Sequence, residues 1–213
     1  MDLYKHGFLV QPNIRFRNTG YKINIDQEYL RSLEFNVKLG MLKKNIDKSK
    51  RRKEFILNDI KNALKFERSQ SNSNQSVILM NTLELGQMLK DELSSSYNVL
   101  YIDANTKAKE RNKIFSDLTD NKITDYVLIG TSKLLGEGTD IPSIKNVFCA
   151  SPAYPPFEDT ARLQQIIGRA MRPFPNKNSA NIVIYNDETT GWINKKKNEV
   201  LDIVFNNVKP VIN

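Results

Sequence analysis

The sequence predicts an α/β fold in which helices wrap a parallel sheet. Two observations carry that reading. From residue 77 onward, short β-rich runs alternate with amphipathic stretches of helical period, the pattern that strand–helix–strand units produce. The chain has 213 residues, 39% hydrophobic and 26% charged, a length and balance that suit one globular core with an appendage.

Taken in order, FLVQPNIRFRN at 8–18 reads as an extended segment, followed by two polar helical stretches at 26–45 and 51–67. Between them lies a basic run of Lys43, Lys44, Lys48, Lys50, Arg51, Arg52 and Lys53. It reads either as a track for a phosphate backbone or as a solvated helix junction. SQSNSNQS at 69–76 is poor in apolar residues and rich in turn formers, so it reads as a loop or linker dividing a leader, 1–70, from the main domain, 71–213. The β-rich runs follow at 77–80, 99–102, 126–129, 147–150 and 182–185. Helices fit between them at 83–94, 107–119 and 158–172, with a last one at 196–206. In the first of these, Leu83, Leu85, Met88, Leu89 and Leu93 recur at helical spacing and form a core face.

Composition excludes several classes of function. No apolar run approaches the roughly 18 residues of a membrane span, and MDLYKHGFLV lacks the apolar core of a signal peptide. The expectation is a soluble, cytoplasmic protein with no membrane partner. One cysteine, Cys149, and one histidine, His6, give neither an internal disulfide nor a zinc set. A formal charge of +8 favours a polyanionic partner through phosphate contacts and counterion release.

Two segments carry chemistry. TSKLLGEGTDIP at 131–142 follows a buried-looking strand, and open α/β sheets bind ligands beyond the carboxyl ends of their strands. Gly136 and Gly138 would let backbone amides approach a phosphate, and Asp140 would accept from ribose hydroxyls; the same residues also suit an ordinary turn. In DTARLQQIIGRAMRP at 159–173, Leu163, Ile166, Ile167, Ala170 and Met171 share one half of a helix. Arg162, Gln165, Arg169 and Arg172 share a narrow arc of the other half. Crowded guanidiniums repel, so the stripe is easier to explain facing an anion, for which the planar Arg fork is suited. A solvated amphipathic face is the alternative. Asp159 or Thr160 suits the cap and Pro173 the stop, while Gly168 costs helix stability and suggests a close approach.

QQIIGRAMRP resembles motif VI, Q-x-x-G-R-x-x-R, of superfamily 2 helicases, with Gln165, Gly168, Arg169 and Arg172 in place. GEGTDIP resembles motif V, VILMNTLELGQMLKDEL resembles motif IV, and YIDANTKAKERNKIFSDL resembles the element that follows it. The resemblance covers residues 72–190, and GFLVQPNIRF is similar to the stretch joining the two lobes in UvsW-like and restriction-subunit-like members. It implies a RecA-like C-terminal lobe of an ATP-dependent helicase or translocase. It also implies that Arg172 is an arginine finger, Arg169 a second γ-phosphate contact and Gln165 a positioning group. Gly136, Gly138, Asp140 and Gly168 would border the nucleotide; Thr131 and Ser132, and more weakly Asn81 and Thr82, would contact nucleic-acid phosphates. Glu137 stands where DEAD-box members carry arginine, which favours the DNA-translocating branch and DNA as partner.

The phosphate loop G-x-x-x-x-G-K-[ST] does not occur in these residues. ATP and Mg²⁺ are therefore expected to be held mainly by an N-terminal lobe, in cis or in trans, with the isolated chain inactive. IVIYNDE at 182–188 resembles a magnesium-binding strand end only superficially and reads as an ordinary strand end at the sheet edge; Asp91 and Glu92 belong to an amphipathic helix. The alternative function is a non-catalytic nucleic-acid-binding or regulatory module derived from such a lobe. A small-molecule α/β enzyme would need a nucleophile or base near the arginines, and neither His6 nor the strand residue Cys149 supplies one.

Overall fold

In a computed structural model, which describes residues 7–22, 26–71, 73–136, 140–152 and 160–188, the apolar runs become the strands of a single sheet. These are β1 (Gln11–Lys22), β2 (Gln75–Leu79), β3 (Val99–Ile102), β4 (Tyr126–Gly130), β5 (Asn146–Cys149) and β6 (Ser179–Glu188). Their order is β1-β6-β5-β2-β4-β3, and every pairing is parallel. Every residue of β2, β4 and β5 is buried, because helices cover both faces and leave no polar side to alternate with.

The helices are α1 (Gln27–Ser32), α2 (Phe35–Lys48), α3 (Lys50–Ser71), α4 (Leu83–Leu93), α5 (Ala108–Thr119), α6 (Ser132–Gly136) and α7 (Thr160–Ala170). On one face α3 and α4 set Ile56, Ile60, Leu64, Leu85, Leu89 and Leu93 against Ile78, Ile129, Phe148 and Tyr185. On the other, Leu118 of α5, Leu135 of α6 and Leu163, Ile166 and Ile167 of α7 pack on Val77, Leu128, Val147 and Ile182. Truncating one such fully buried leucine or isoleucine to alanine costs about 2–5 kcal/mol.

Several expectations are corrected. The extended segment at 8–18 is a strand running to Lys22, and it pairs with β6 from Gln11↔Ser179 through Asn18↔Asn186. The stretch at 26–45 is two helices, because the chain turns extended at Leu33 and Glu34. The linker at 69–76 is largely regular structure: α3 continues to Ser71 and β2 begins at Gln75. Its serines are accommodated in the helix by donating to carbonyls one turn back, Ser69 to Phe66 and Ser71 to Glu67. IVIYNDE is not at the sheet edge, since β6 lies between β1 and β5. The expected helices at 158–172 and 196–206 fare differently: the first spans Thr160–Ala170, and the second lies outside the described residues.

Candidate functional site

The candidate residues meet at the carboxyl ends of adjacent strands. The Met80 N–H donates to the Gly130 carbonyl at 3.0 Å, which holds the end of β2 beside the end of β4. Asn81 donates its backbone N–H to Ser151 Oγ at 2.8 Å, and its side-chain Nδ2 is buried with no acceptor among the described residues. The Thr82 hydroxyl is used twice internally: it accepts from the Leu85 N–H to cap α4 and donates to the Asp47 carboxylate. After β4, Thr131 Oγ1 accepts from the Leu134 N–H at 3.3 Å, opening α6, and Ser132 is buried. Asn81 and Thr82 thus follow the end of β2, and Thr131 and Ser132 the end of the neighbouring β4, with Thr82 turned inward and Ser132 buried.

Helix α7 is divided as its sequence requires. Leu163, Ile166, Ile167, Ala170 and Met171 are buried, whereas Gln165 and Arg172 are exposed and Arg162 and Arg169 half-buried. The polar side looks onto an open cleft of about 610 Å³ lined by Leu9, Gly136, Gln165, Gly168, Arg169 and Arg172. Arg169 donates Nη1 to the Leu135 carbonyl at 3.1 Å, so its guanidinium is fixed before any ligand arrives. Arg172 donates to Asp140, with both side chains about half exposed. Gly138, Glu137 and Asp159 lie outside the described residues, as does the side chain of Thr160.

The two glycines differ. A Cβ on Gly136 would sit 3.0 Å from Arg162 Cγ, so the absence of a side chain lets α6 approach α7. A Cβ on Gly168 would meet nothing within 4 Å. The expected close approach at Gly168 is therefore not made by any described part of this chain, and the missing side chain instead opens the cleft floor. Beyond α7, Lys177 is buried and donates to the carbonyls of Pro142 and Arg172, each at 2.9 Å, tying the ends of the two motif segments together. Burial, and then the charge of Lys145, push its pKa down to about 8.

Sequence reasoning missed a buried polar cluster beside the carboxyl ends of β2 and β5. Arg52, from the basic run, is 1% exposed. Its Nε donates to Asp187 at 2.7 Å, its Nη2 to the Ala150 carbonyl at 2.9 Å, and its Nη1 lies 3.4 Å from Asp47. Thr19 donates to Asp187 as well. Burial raises the Asp47 pKa against the lowering influence of Thr82 and Arg52. The signal in the sequence was an arginine four residues before Ile56, on the face that Ile56, Ile60 and Leu64 bury. Asp187, read as an ordinary edge residue, is the internal counter-charge.

Among the described residues no group of three or more His, Cys, Asp or Glu side chains is arranged to hold a metal. No helix among them is long and apolar enough to cross a membrane.

The helicase conserved C-terminal domain matches residues 52–173, more than half of the chain. The protein belongs to that family. None of the curated proteins compared matches the sequence. Among solved structures, the helicase lobe is similar to T4 UvsW, at 17% identity and a TM-score of 0.53 over 84% of this chain and 32% of that one. It is similar to the ATP-dependent Type ISP restriction-modification enzyme LlaBIII, solved bound to DNA, at 12% identity and a TM-score of 0.60 over 98% of this chain and 14% of that one. The C-terminal domain of the DEAD-box protein Dbp5 aligns over 95% of this chain and 89% of its own length, at 15% identity and a TM-score of 0.52. The helicase lobe thus spans about a third of UvsW and nearly the whole of the Dbp5 domain. The helicase C-terminal family read from the sequence stands, and so does the RecA-like parallel sheet.

Proposed function

We propose that this lobe is the C-terminal half of an ATP-driven DNA helicase or translocase, supplying the arginine finger and part of the grip on DNA. The observation that carries the reading is the cleft over Gly168, where Gln165, Arg169 and Arg172 converge and no described side chain fills the space. Its donor set fits the phosphates of ATP: two guanidiniums that stay charged at any working pH, next to a glycine floor that lets an anion approach backbone.

ATP bound by a facing lobe would present its γ-phosphoryl group to this cleft. Arg172 then leaves Asp140 and neutralises charge developing on the transferring group, Arg169 holds a second oxygen from its fixed position, and Gln165 orients the attacking water. Asp140, once released, is positioned to accept from a ribose hydroxyl. Asn81 and Thr131, partly exposed at the ends of adjacent strands, form the crevice that contacts DNA phosphates, with Thr82 as a supporting cap and the buried Ser132 behind Thr131. Because the 213 residues carry no phosphate loop, hydrolysis calls on a second lobe, joined to this one or separate from it.

The test is ATP hydrolysis by the purified chain, with and without DNA, repeated with an added phosphate-loop lobe. Activity that needs the added lobe and collapses in Arg172→Ala supports the split engine. Silence in every mixture, with DNA still bound, leaves a non-catalytic nucleic-acid-binding module instead.

A further inference from the structure

The basic run at residues 43–53 is not absorbed by the nucleotide cleft, yet it sits against the proposed DNA crevice. We propose that the α2–α3 junction is a second phosphate-contacting surface, on which Lys44, Lys48 and Arg51 extend the path of the nucleic-acid strand beyond Asn81. This rests on the nucleic-acid reading of the crevice above.

Three observations carry it. First, the junction is anchored from within: Asp47 binds the Thr82 hydroxyl, and Arg52 binds the Ala150 carbonyl just before Ser151, the residue that holds the Asn81 backbone. The cations around these two buried residues are thus displayed by a fixed turn. Second, Lys44, Lys48 and Arg51 are exposed and make no hydrogen bond or ion pair among the described residues. Lys50 beside them is 88% exposed, with its ammonium 3.9 Å from Glu54. Third, the junction reaches the start of α4. Lys53 binds Glu84 at 2.8 Å, and that hydrogen bond holds the Glu84 carboxyl below its usual range, with the field of Lys48 adding to the effect. The neighbouring carboxylates have other partners: Asp47 has Thr82 and Arg52, Glu84 has Lys53, and Glu54 faces Lys50.

Lys44 and Lys48 stand one helical turn apart on α2, a spacing at which like charges destabilise a helix. Cations left unpaired at that spacing, on a rigid turn beside a crevice, suit a polyanion that passes over them. The contact expected is with phosphates and not with bases, because lysine ammoniums act as point charges and read no sequence.

The experiment is binding of a labelled single-stranded DNA, and in parallel an RNA of the same sequence, to the whole chain, from about 50 to about 200 mM salt. The variant is Lys44→Gln/Lys48→Gln/Arg51→Gln. Its control is Lys65→Gln/Lys109→Gln/Lys113→Gln, which removes the same charge from exposed positions on the far half of α3 and on α5. Losing three phosphate contacts should reduce the slope of log affinity against log salt by about 2 and weaken binding tenfold or more, while the control keeps the wild-type slope. Equal weakening in both triples, or an unchanged slope in the first while the wild type binds, overturns the surface and leaves the crevice reading intact. A wild-type chain that binds neither probe at any salt sinks both.

Discussion

Arg52 and Arg172 carry the same group into opposite surroundings. Arg52 is sealed at 1% exposure with Asp187, Asp47 and a backbone carbonyl as partners. Arg172 is 45% exposed in its side chain and leans on an equally exposed Asp140 at the rim of a cleft. A guanidinium taken out of water is tolerable only when counter-charges and acceptors surround it, so Arg52 is committed to the fold. Arg172 is held by one surface carboxylate, an interaction worth little in solvent, and is available to a stronger anion. The difference separates a residue committed to the interior from one proposed to act at the cleft over Gly168.

That separation can be broken by experiment. Arg172→Ala should lower ATP hydrolysis in the two-lobe mixture by about three orders of magnitude or more, with melting temperature unmoved; a large loss of stability with hydrolysis intact would reverse the assignment. Arg52→Met should lower unfolding free energy in a urea titration by roughly 3–5 kcal/mol, because Asp187 and Asp47 stay buried without their cation. Adding Asp187→Leu should restore part of that loss, and a neutral Arg52→Met would mean the cluster is not the internal tie described.

Gly168→Ala sharpens the comparison from the cleft side. With nothing within 4 Å of the new methyl group, the helix should gain about 0.5–1 kcal/mol of stability, while lobe-dependent hydrolysis falls as the floor rises. A gain in stability with unchanged hydrolysis would show that no ligand passes there. A pH-dependent effect concerns Lys177, whose pKa is about 8 when folded against 10.5 for the free side chain. Between those values the unfolded chain holds a proton that the folded chain has released, so stability should climb as pH rises through this window. In Lys177→Met that rise should vanish from melting curves taken at the two ends of the window.

The parallel sheet was legible because burial on both faces writes apolar runs directly into the sequence, as in Tyr126–Gly130. The stripe on α7 was legible because a helix with one apolar half leaves its other half to be read. What escaped was set by distant partners. Arg52 looked solvated among six other cations, and nothing local announces an aspartate 135 residues away. The inward turn of Thr82 likewise depends on Asp47. Gly168 was half legible: its unusual place in a helix was visible, but whether space or contact lay beyond it was not.

The pairing of β1 with β6 bears on how such a chain comes off the ribosome. Gln11 lies beside Ser179, so β1 finds its neighbour only when almost all of the described sequence has been synthesised. Until then its edge is open, and contacts of such long sequence separation form late and slowly. Thr19, donating to Asp187 across that seam, ties the buried charge cluster to the same late event. The buried cluster around Arg52 should therefore be among the last features to set, after the central strands have already joined.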